Sequence, residues 1–588
     1  MKICYMSYSL FPRLFLVPLL TTTLTLVGPS EFVFAQETEE ADPAEITNGE
    51  RLFLESRFAQ FFKVFLDGGK TVNDPLTEGD PVLDQTVNWQ APSSEHPFKG
   101  LSMNCRSCHF VDELGVEEPL QGYGMRTYSD FARRSPVPAR EDGKTITVRN
   151  SPPLVNASLP RKNFFLHFDA EFTTMVDLVK GTLSGRNYGW IPGEGAMAIA
   201  HVAKVIREDN GEGDLASSDF EGIPYKTLLT GTDPSLPEGF VLPKEFRVDV
   251  DNATDAQIFQ AVSKLIAAYT EDLAFSQDDN GNFNLSPYDV FLAKNGLPQQ
   301  PRKWESDISY SKRLLRKIKR LERRDKLQFV SGNPNTDDGA FEFHDQSFVF
   351  GKGELQGLKI FFKQKKRALR PSDLAKGKIG NCIACHAAPN FTDFEFHNNG
   401  VAQEEYDHIH GPGSFSQLEI PRFWPRLINH NEFLPATEQH PHAQELFRAI
   451  PTADNPKLTD LGLWNIFLNF DFAKPQQRIW RSLCQDVIED RFQGRKRFRR
   501  CHPLSLLQRS IARFKTPGLR DLGHSAPYNH TGQAETLADV IRLDMKSAKL
   551  ARNGELRNAD SEMKEIGLTE QDIAPLVLFL QSLNEDYS

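Results

Sequence analysis

Two short runs of this chain carry residues whose types and spacing point to one chemistry: Cys105-Arg-Ser-Cys108-His109 and Cys382-Ile-Ala-Cys385-His386. On a single helical turn, cysteines at i and i+3 reach the two vinyl groups along one porphyrin edge. The histidine at i+4 then turns beneath the iron as its proximal ligand. A thioredoxin-like dithiol would need one such motif in a βαβ setting, which neither run has. Zinc would draw its four ligands from compact pairs, and these two runs lie far apart in the chain. The spacing therefore predicts two covalently bound haems c, attached at Cys105, Cys108, Cys382 and Cys385, with His109 and His386 as iron ligands.

Thioether attachment requires an exported chain, and the start of the sequence agrees. Lys2 and Arg13 precede an apolar run from Leu14 to Val27, and Val33-Phe34-Ala35 ends in a small residue suited to a signal peptidase. The apolar run is shorter than the roughly 20 residues a spanning helix needs, so a cleaved signal over 1–35 and a periplasmic or secreted location are expected, with no membrane span after cleavage. Seven cysteines occur, and Cys4 lies in the signal segment. With four more in the haem motifs, Cys484 and Cys501 remain, flanking a charge-rich stretch in an oxidising compartment, and are expected to form a disulfide.

Composition excludes other classes. Hydrophobic residues make up 39% and aromatics 11%, enough for several packed cores, and a formal net charge of -11 opposes nucleic-acid binding. The stretch Lys312 to Lys326 is the exception: Arg and Lys crowd it while Leu314, Leu315, Ile318 and Leu321 recur at helical spacing. It reads either as a solvated helix face or as a docking surface for an acidic redox partner.

Beyond the motifs, a series of segments resembles the bacterial di-haem cytochrome c peroxidase and MauG-like superfamily over most of the chain. Arg149-Asn150-Ser151-Pro152 with Leu154-Val155-Asn156-Ala157, then Asp169 and Lys180-Gly181, are similar to the family's region between its haems. Asn390-Phe391-Thr392-Asp393 and Phe396-His397-Asn398-Asn399-Gly400 are similar to the family's continuation after its second haem. Phe514-Lys515-Thr516-Pro517-Gly518-Leu519-Arg520 and Ala526-Pro527-Tyr528-Asn529-His530-Thr531-Gly532 are similar to its most recognisable block.

The resemblance implies a peroxidatic first haem, a second haem that relays electrons from a small cytochrome or cupredoxin, and hydrogen peroxide as substrate. It also implies one Ca²⁺ between the haem domains, held at Asn150, Ser525 and Pro527. The chain departs from the family at the tuning positions. Phe168 stands where peroxidases have Trp between the haems, Leu178 stands at a distal amide, and Tyr188 stands near the expected catalytic glutamate. Glu194 is an acid close by in sequence, and Phe168, Tyr188 and Glu194 are the catalytic candidates. Candidates for the first haem's sixth ligand are Met125, His167 and His201. For the second, Met545 lies one step beyond the family's ligand position. These departures leave three readings open: a peroxidase, a MauG-like or oxygenase-like enzyme acting on a protein or organic substrate, and a non-enzymatic electron-transfer cytochrome. A second copy of the chain is a further candidate partner.

The elements that must hold these residues read as mainly α-helical. Ile258, Val262, Leu265, Ile266 and Tyr269 mark one amphipathic helix, and Ile573, Leu576, Val577, Leu580 and Leu583 after a Thr569 cap mark another. The expected organisation is a linker over 36–50, a cytochrome c-like haem domain over 51–298 and a basic helical insertion over 299–351. A second cytochrome c-like haem domain covers 352–588, with long loops and its own insertion over 408–513.

Overall fold

The computed structural model describes residues 42–74, 104–109, 134–492 and 501–586, apart from positions 136, 138–139, 162, 214–215, 218–219, 343, 366 and 524. The expected signal segment and Met125 lie outside the described residues. Helices dominate: α1 (Ala44–Phe53), α2 (Met175–Leu183), α3 (Gly195–Glu208), α4 (Asp255–Asp272), α5 (Asp307–Glu322), α6 (Lys352–Phe361), α7 (Gln476–Phe492), α8 (Leu537–Asn553) and α9 (Ile573–Gln581) are the main ones. The one named sheet among the described residues is a two-residue antiparallel pair, β1 (Phe396–His397) with β2 (Phe514–Lys515), in the register Phe396 to Lys515.

Each half is built on a helix crossing, α1 with α4 and α6 with α9, and a glycine sets the approach. A Cβ on Gly49 of α1 would lie 2.4 Å from the Leu265 carbonyl oxygen of α4, and Gly357 of α6 meets the Pro575 carbonyl of α9 in the same way. Four residues after each glycine a phenylalanine packs on the partner helix: Phe53 on Tyr269 and Phe361 on Phe579, both with ring centroids 5.2 Å apart. The same device, used twice, sets one helix crossing in each half. Any larger residue at either glycine would force the helices apart, since interiors tolerate no such overlap.

The first core runs from Leu52 to Phe283 and the second from Tyr288 to Leu583. Residues 44–50, expected as the end of a linker, are therefore the opening turns of a core helix. Within the described residues of stretch 299–351 the helix is α5 alone, and it buries Tyr310, Leu314, Leu315 and Ile318 in the second core. Its basic residues are the outer face of that domain's own helix. Thr569 caps the C-terminal helical segment through Asp572, as its position predicts.

A third core lies in the 408–513 stretch, centred on Phe415, Phe447, Trp464 and Phe467, and it takes in Phe165, Phe168 and Ala170 from the first half. The described part of this stretch thus packs over the segment that holds Phe165, Phe168 and Ala170. Cys484 and Cys501 are bonded within it, with Cα atoms 5.6 Å apart and a sequence separation of 17. Replacing both by serine is expected to cost on the order of 2–4 kcal/mol, by loss of the loop-closure constraint on the unfolded chain. Chemical denaturation with and without reductant measures it.

Candidate functional site

The first motif forms one helical turn, Cys105–Cys108, in the first half of the molecule. Asn104 ties the turn to the end of α1 by donating from Nδ2 to the Leu54 carbonyl at 2.7 Å, and the His109 amide donates to the Cys105 carbonyl at 2.9 Å. Burial pushes the His109 imidazole down to about 4, His167 adds to that, and a hydrogen bond to the Pro152 carbonyl opposes it. The ring is therefore neutral at physiological pH, the state an iron ligand requires.

At the second motif, Cys382–Ala384 make a 3-10 turn and the His386 amide donates to the Cys382 carbonyl at 2.8 Å. The His386 Nδ1 donates to the Phe391 carbonyl at 2.9 Å, which fixes the tautomer and leaves Nε2 with its lone pair free for a metal. A Cβ on Gly380 would lie 3.0 Å from the Cys382 sulfur and 2.8 Å from the Ile360 carbonyl, so the chain can pass there only as glycine. Burial pushes Cys105 up to about 12 and Cys385 up to about 11. None of the four motif cysteines is in a disulfide among the described residues, and all four are partly exposed. These side chains suit a porphyrin attached by two thioethers with one axial imidazole.

Between the motifs runs an aromatic series. The Phe168 ring lies 6.0 Å from His530, and His530 stacks on Phe514 with centroids 3.6 Å apart. Burial pushes His530 down to about 3, and its Nε2 has no hydrogen-bond partner among the described residues. Around this series the first half and the third core are joined by buried charges. Arg149 grips Asp460 through Nε at 2.5 Å and Nη2 at 2.8 Å, and lies 2.7 Å from Asp169. Arg448 pairs with Glu171 at 2.5 Å and lies 3.3 Å from Asp169.

The other expected residues fall in varied places. Tyr188 is buried with its hydroxyl 3.3 Å from the Cys105 sulfur, so it stands at the attachment edge of the first motif. Burial raises its pKa well above the usual phenol value, and it keeps its proton. Glu194 is engaged by Arg140, at 2.8 Å and 3.2 Å, and accepts from the Ile191 amide at 3.0 Å. Leu178 packs on the first core. His201 is a core residue, its Nε2 2.8 Å from the Arg57 carbonyl, and His167 pairs through Nδ1 with Glu171 at 3.1 Å.

Asn150, Ser525 and Pro527 are brought together. Asn150 Nδ2 donates to the carbonyls of Pro527 at 3.0 Å and Asn529 at 2.8 Å, while Asn150 Oδ1 and Ser525 Oγ are buried without hydrogen-bond partners among the described residues. Two orphaned oxygens beside a backbone carbonyl are the donor type a calcium ion takes.

Reading the sequence alone missed Asp544. On α8 the residues Leu537, Ile541, Ala548 and Ala551 are buried, and Asp544 falls on the centre of that stripe. Met545 is turned about 100 degrees further round the helix and packs beside the second core. Asp544 has no partner for its charge among the described residues, burial pushes it up to about 7, and its field reaches Cys382. The signal was available: a lone carboxylate interrupting an apolar stripe at i, i+4, i+7, i+11 and i+14.

No family model matches the chain. A cytochrome-c peroxidase, IdrP1, of Denitromonas iodatirespirans is 28% identical over 105 residues, a match spanning 18% of this chain and 27% of that protein. Among solved structures, the diheme peroxidase BthA of Burkholderia thailandensis is 15% identical, with 93% of this chain and 87% of that chain covered at a TM-score of 0.43. A MauG-like protein associated with microbial copper homeostasis is 14% identical, with 95% and 96% covered at 0.38. The chain resembles di-haem peroxidases and MauG-like proteins. The curated relative is thus matched over about a quarter of its length.

Proposed function

We propose that this chain is an exported di-haem c-type oxidoreductase of the peroxidase type, reducing hydrogen peroxide to water with electrons from a small cytochrome or cupredoxin. The observation that carries the reading is the pair of Cys-x-x-Cys-His turns, each beside its own glycine-set helix crossing and each with its histidine oriented by a backbone carbonyl. Bound haem supplies the change of redox state that no side chain here can supply. His109 and His386 hold the irons and the four cysteines fix the porphyrins. Phe168, His530 and Phe514 fill the gap between the two motifs with a dry aromatic contact. Asn150 Oδ1, Ser525 Oγ and the Pro527 carbonyl would hold a calcium ion, supplying the oxygen donors it takes.

Proton delivery is the weak point of this site. Peroxide reduction needs a proton moved to the departing oxygen, and a positioned acid or base contributes roughly 10² to 10⁴ in rate. Glu194 is committed to Arg140 and Tyr188 to the Cys105 edge, so neither is poised as that group. We therefore expect the half-reduced protein to react with hydrogen peroxide in stopped-flow mixing, but slowly. Glu194→Gln and Tyr188→Phe should leave the rate unchanged. Fast oxidation abolished in Glu194→Gln would contradict this, and no oxidation at all would favour an electron-transfer cytochrome. The same lack of a free acid, with the third core packed over the segment that holds Phe165, Phe168 and Ala170, favours as a second reading a MauG-like oxidation of a protein or organic substrate.

A further inference from the structure

Two partly buried cations at the junction of the two halves, Arg161 and Lys515, form no ion pair among the described residues, and only Arg161 feels a carboxylate, that of Glu395. Arg161 lies with its guanidinium carbon 4.3 Å from the Phe164 ring centre and 4.1 Å from that of Phe394. It donates only to backbone, from Nη1 to the carbonyls of Ala157 and Leu159 and from Nη2 to that of Phe165, and its Nε is buried without a partner. The Lys515 ammonium sits 5.9 Å from the same Phe394 ring, and its side chain has no hydrogen bond or ion pair among the described residues. Burial, and then the neighbouring Arg161, push Lys515 down to about 7.

The one carboxylate among the described residues whose field reaches Arg161 is Glu395, and its oxygens are taken by Asn163 at 3.0 Å and Ser482 at 2.5 Å. A folded protein rarely buries two like charges unneutralised, because each isolated ion loses its hydration without recompense. Their place in the chain says what could neutralise them. The Lys515 amide donates to the Phe168 carbonyl at 2.8 Å, and two residues on, the Pro517 carbonyl lies beside the His386 ring. Arg161 stands between Pro152, which touches His109, and His167. Arg161 and Lys515 are therefore carried on segments whose other residues, Pro152 and His167 in one case and Pro517 in the other, reach the motif histidines.

Resting on the di-haem reading, we propose that Arg161 and Lys515 form a cradle for a haem propionate carboxylate between the two motifs. Arg161 is held in place by three carbonyls through Nη1 and Nη2, so it is preset by the fold, and the unpaired Lys515 ammonium supplies the direct contact. The carboxylate could come from either haem, and the test separates the two. Holoprotein carrying Lys515→Met, with Lys515→Arg as the charge-retaining control, is titrated by spectroelectrochemistry and melted. With the cradle, Lys515→Met lowers the midpoint potential of one haem and the melting temperature of the holoprotein, while Lys515→Arg restores both. A fall confined to the second haem assigns the propionate to it, and a fall confined to the first assigns it there. Unchanged midpoints with a raised melting temperature would overturn the proposal, because removing a cation that has no anion beside it stabilises. Fewer than two haems in the unaltered protein would instead remove the di-haem reading on which it rests.

Discussion

Asp460→Ala is expected to destabilise the folded protein by about 3–5 kcal/mol, because it strips the bidentate partner from a buried guanidinium. Arg149 is nearly enclosed, and its Nε and Nη2 both end on Asp460, with Asp169 on Nη1 as the other neighbour. Asp460 also accepts from the Gly462 amide at 2.9 Å, so the loss reaches the loop at the heart of the third core. Asp460→Asn keeps that amide bond and should recover part of the loss, not all. A cost below about 1 kcal/mol, the range of an exposed pair, would show that this network does not hold the halves together.

The pH dependence of stability is set in the same region. Burial raises the Asp460 carboxyl and the Arg149 guanidinium lowers it, and the net direction is down. A carboxylate depressed in the fold contributes stability that is present above its unfolded value, near 4, and is lost as pH falls toward its folded value. His201 and His530 act earlier. Burial holds them neutral, at about 4 and about 3, so the unfolded chain binds their protons first. Stability should therefore begin to fall below roughly pH 6.5 and fall more steeply below about 4. Equilibrium or thermal unfolding across that range checks the sign.

Asp544→Met should change the second haem more than any other single replacement on α8. Asp544 lies at the centre of the buried stripe, and its charge is felt at Cys382. Exchanging a carboxylate for a thioether there removes a negative charge that favours the oxidised state and supplies a ligand type that raises the potential. The expected result is a raised midpoint and thioether-type low-spin absorption for the second haem only. Met545→Leu, one step round the helix, should leave that spectrum as it was. The reverse pattern would mean that Met545 and not Asp544 faces the iron.

The features legible in the sequence were those that neighbouring residues determine among themselves. The haem turns, the Thr569 cap and the amphipathic faces of α4, α5 and α9 depend on spacings of three and four, which survive into the fold. The disulfide was legible because two cysteines were left over. The features that could not be read depend on partners far along the chain. Gly49 and Phe53, like Gly357 and Phe361, form the same G-x-x-x-F pattern, but it becomes a helix crossing only once Leu265 or Pro575 is known to lie opposite. Glu194 looked like an available acid until Arg140, more than fifty positions earlier, closed on it. Stretch 299–351 looked like an insertion because its charge hides the apolar residues, Tyr310, Leu314, Ile318 and Phe350 among them, that pack in the second core. Met545 drew attention by its type, while Asp544 beside it carries no motif and shows itself only once its charge is seen to reach Cys382.

The central claim is that each motif carries its own covalent haem, and haem counting by pyridine haemochrome with intact mass under denaturing conditions tests it most directly. Two haems per chain are predicted, with His109→Ala altering only the first haem's spectrum and His386→Ala only the second's. A count near one, a mass accounted for by zinc, or a single replacement that disturbs both spectra alike would contradict it.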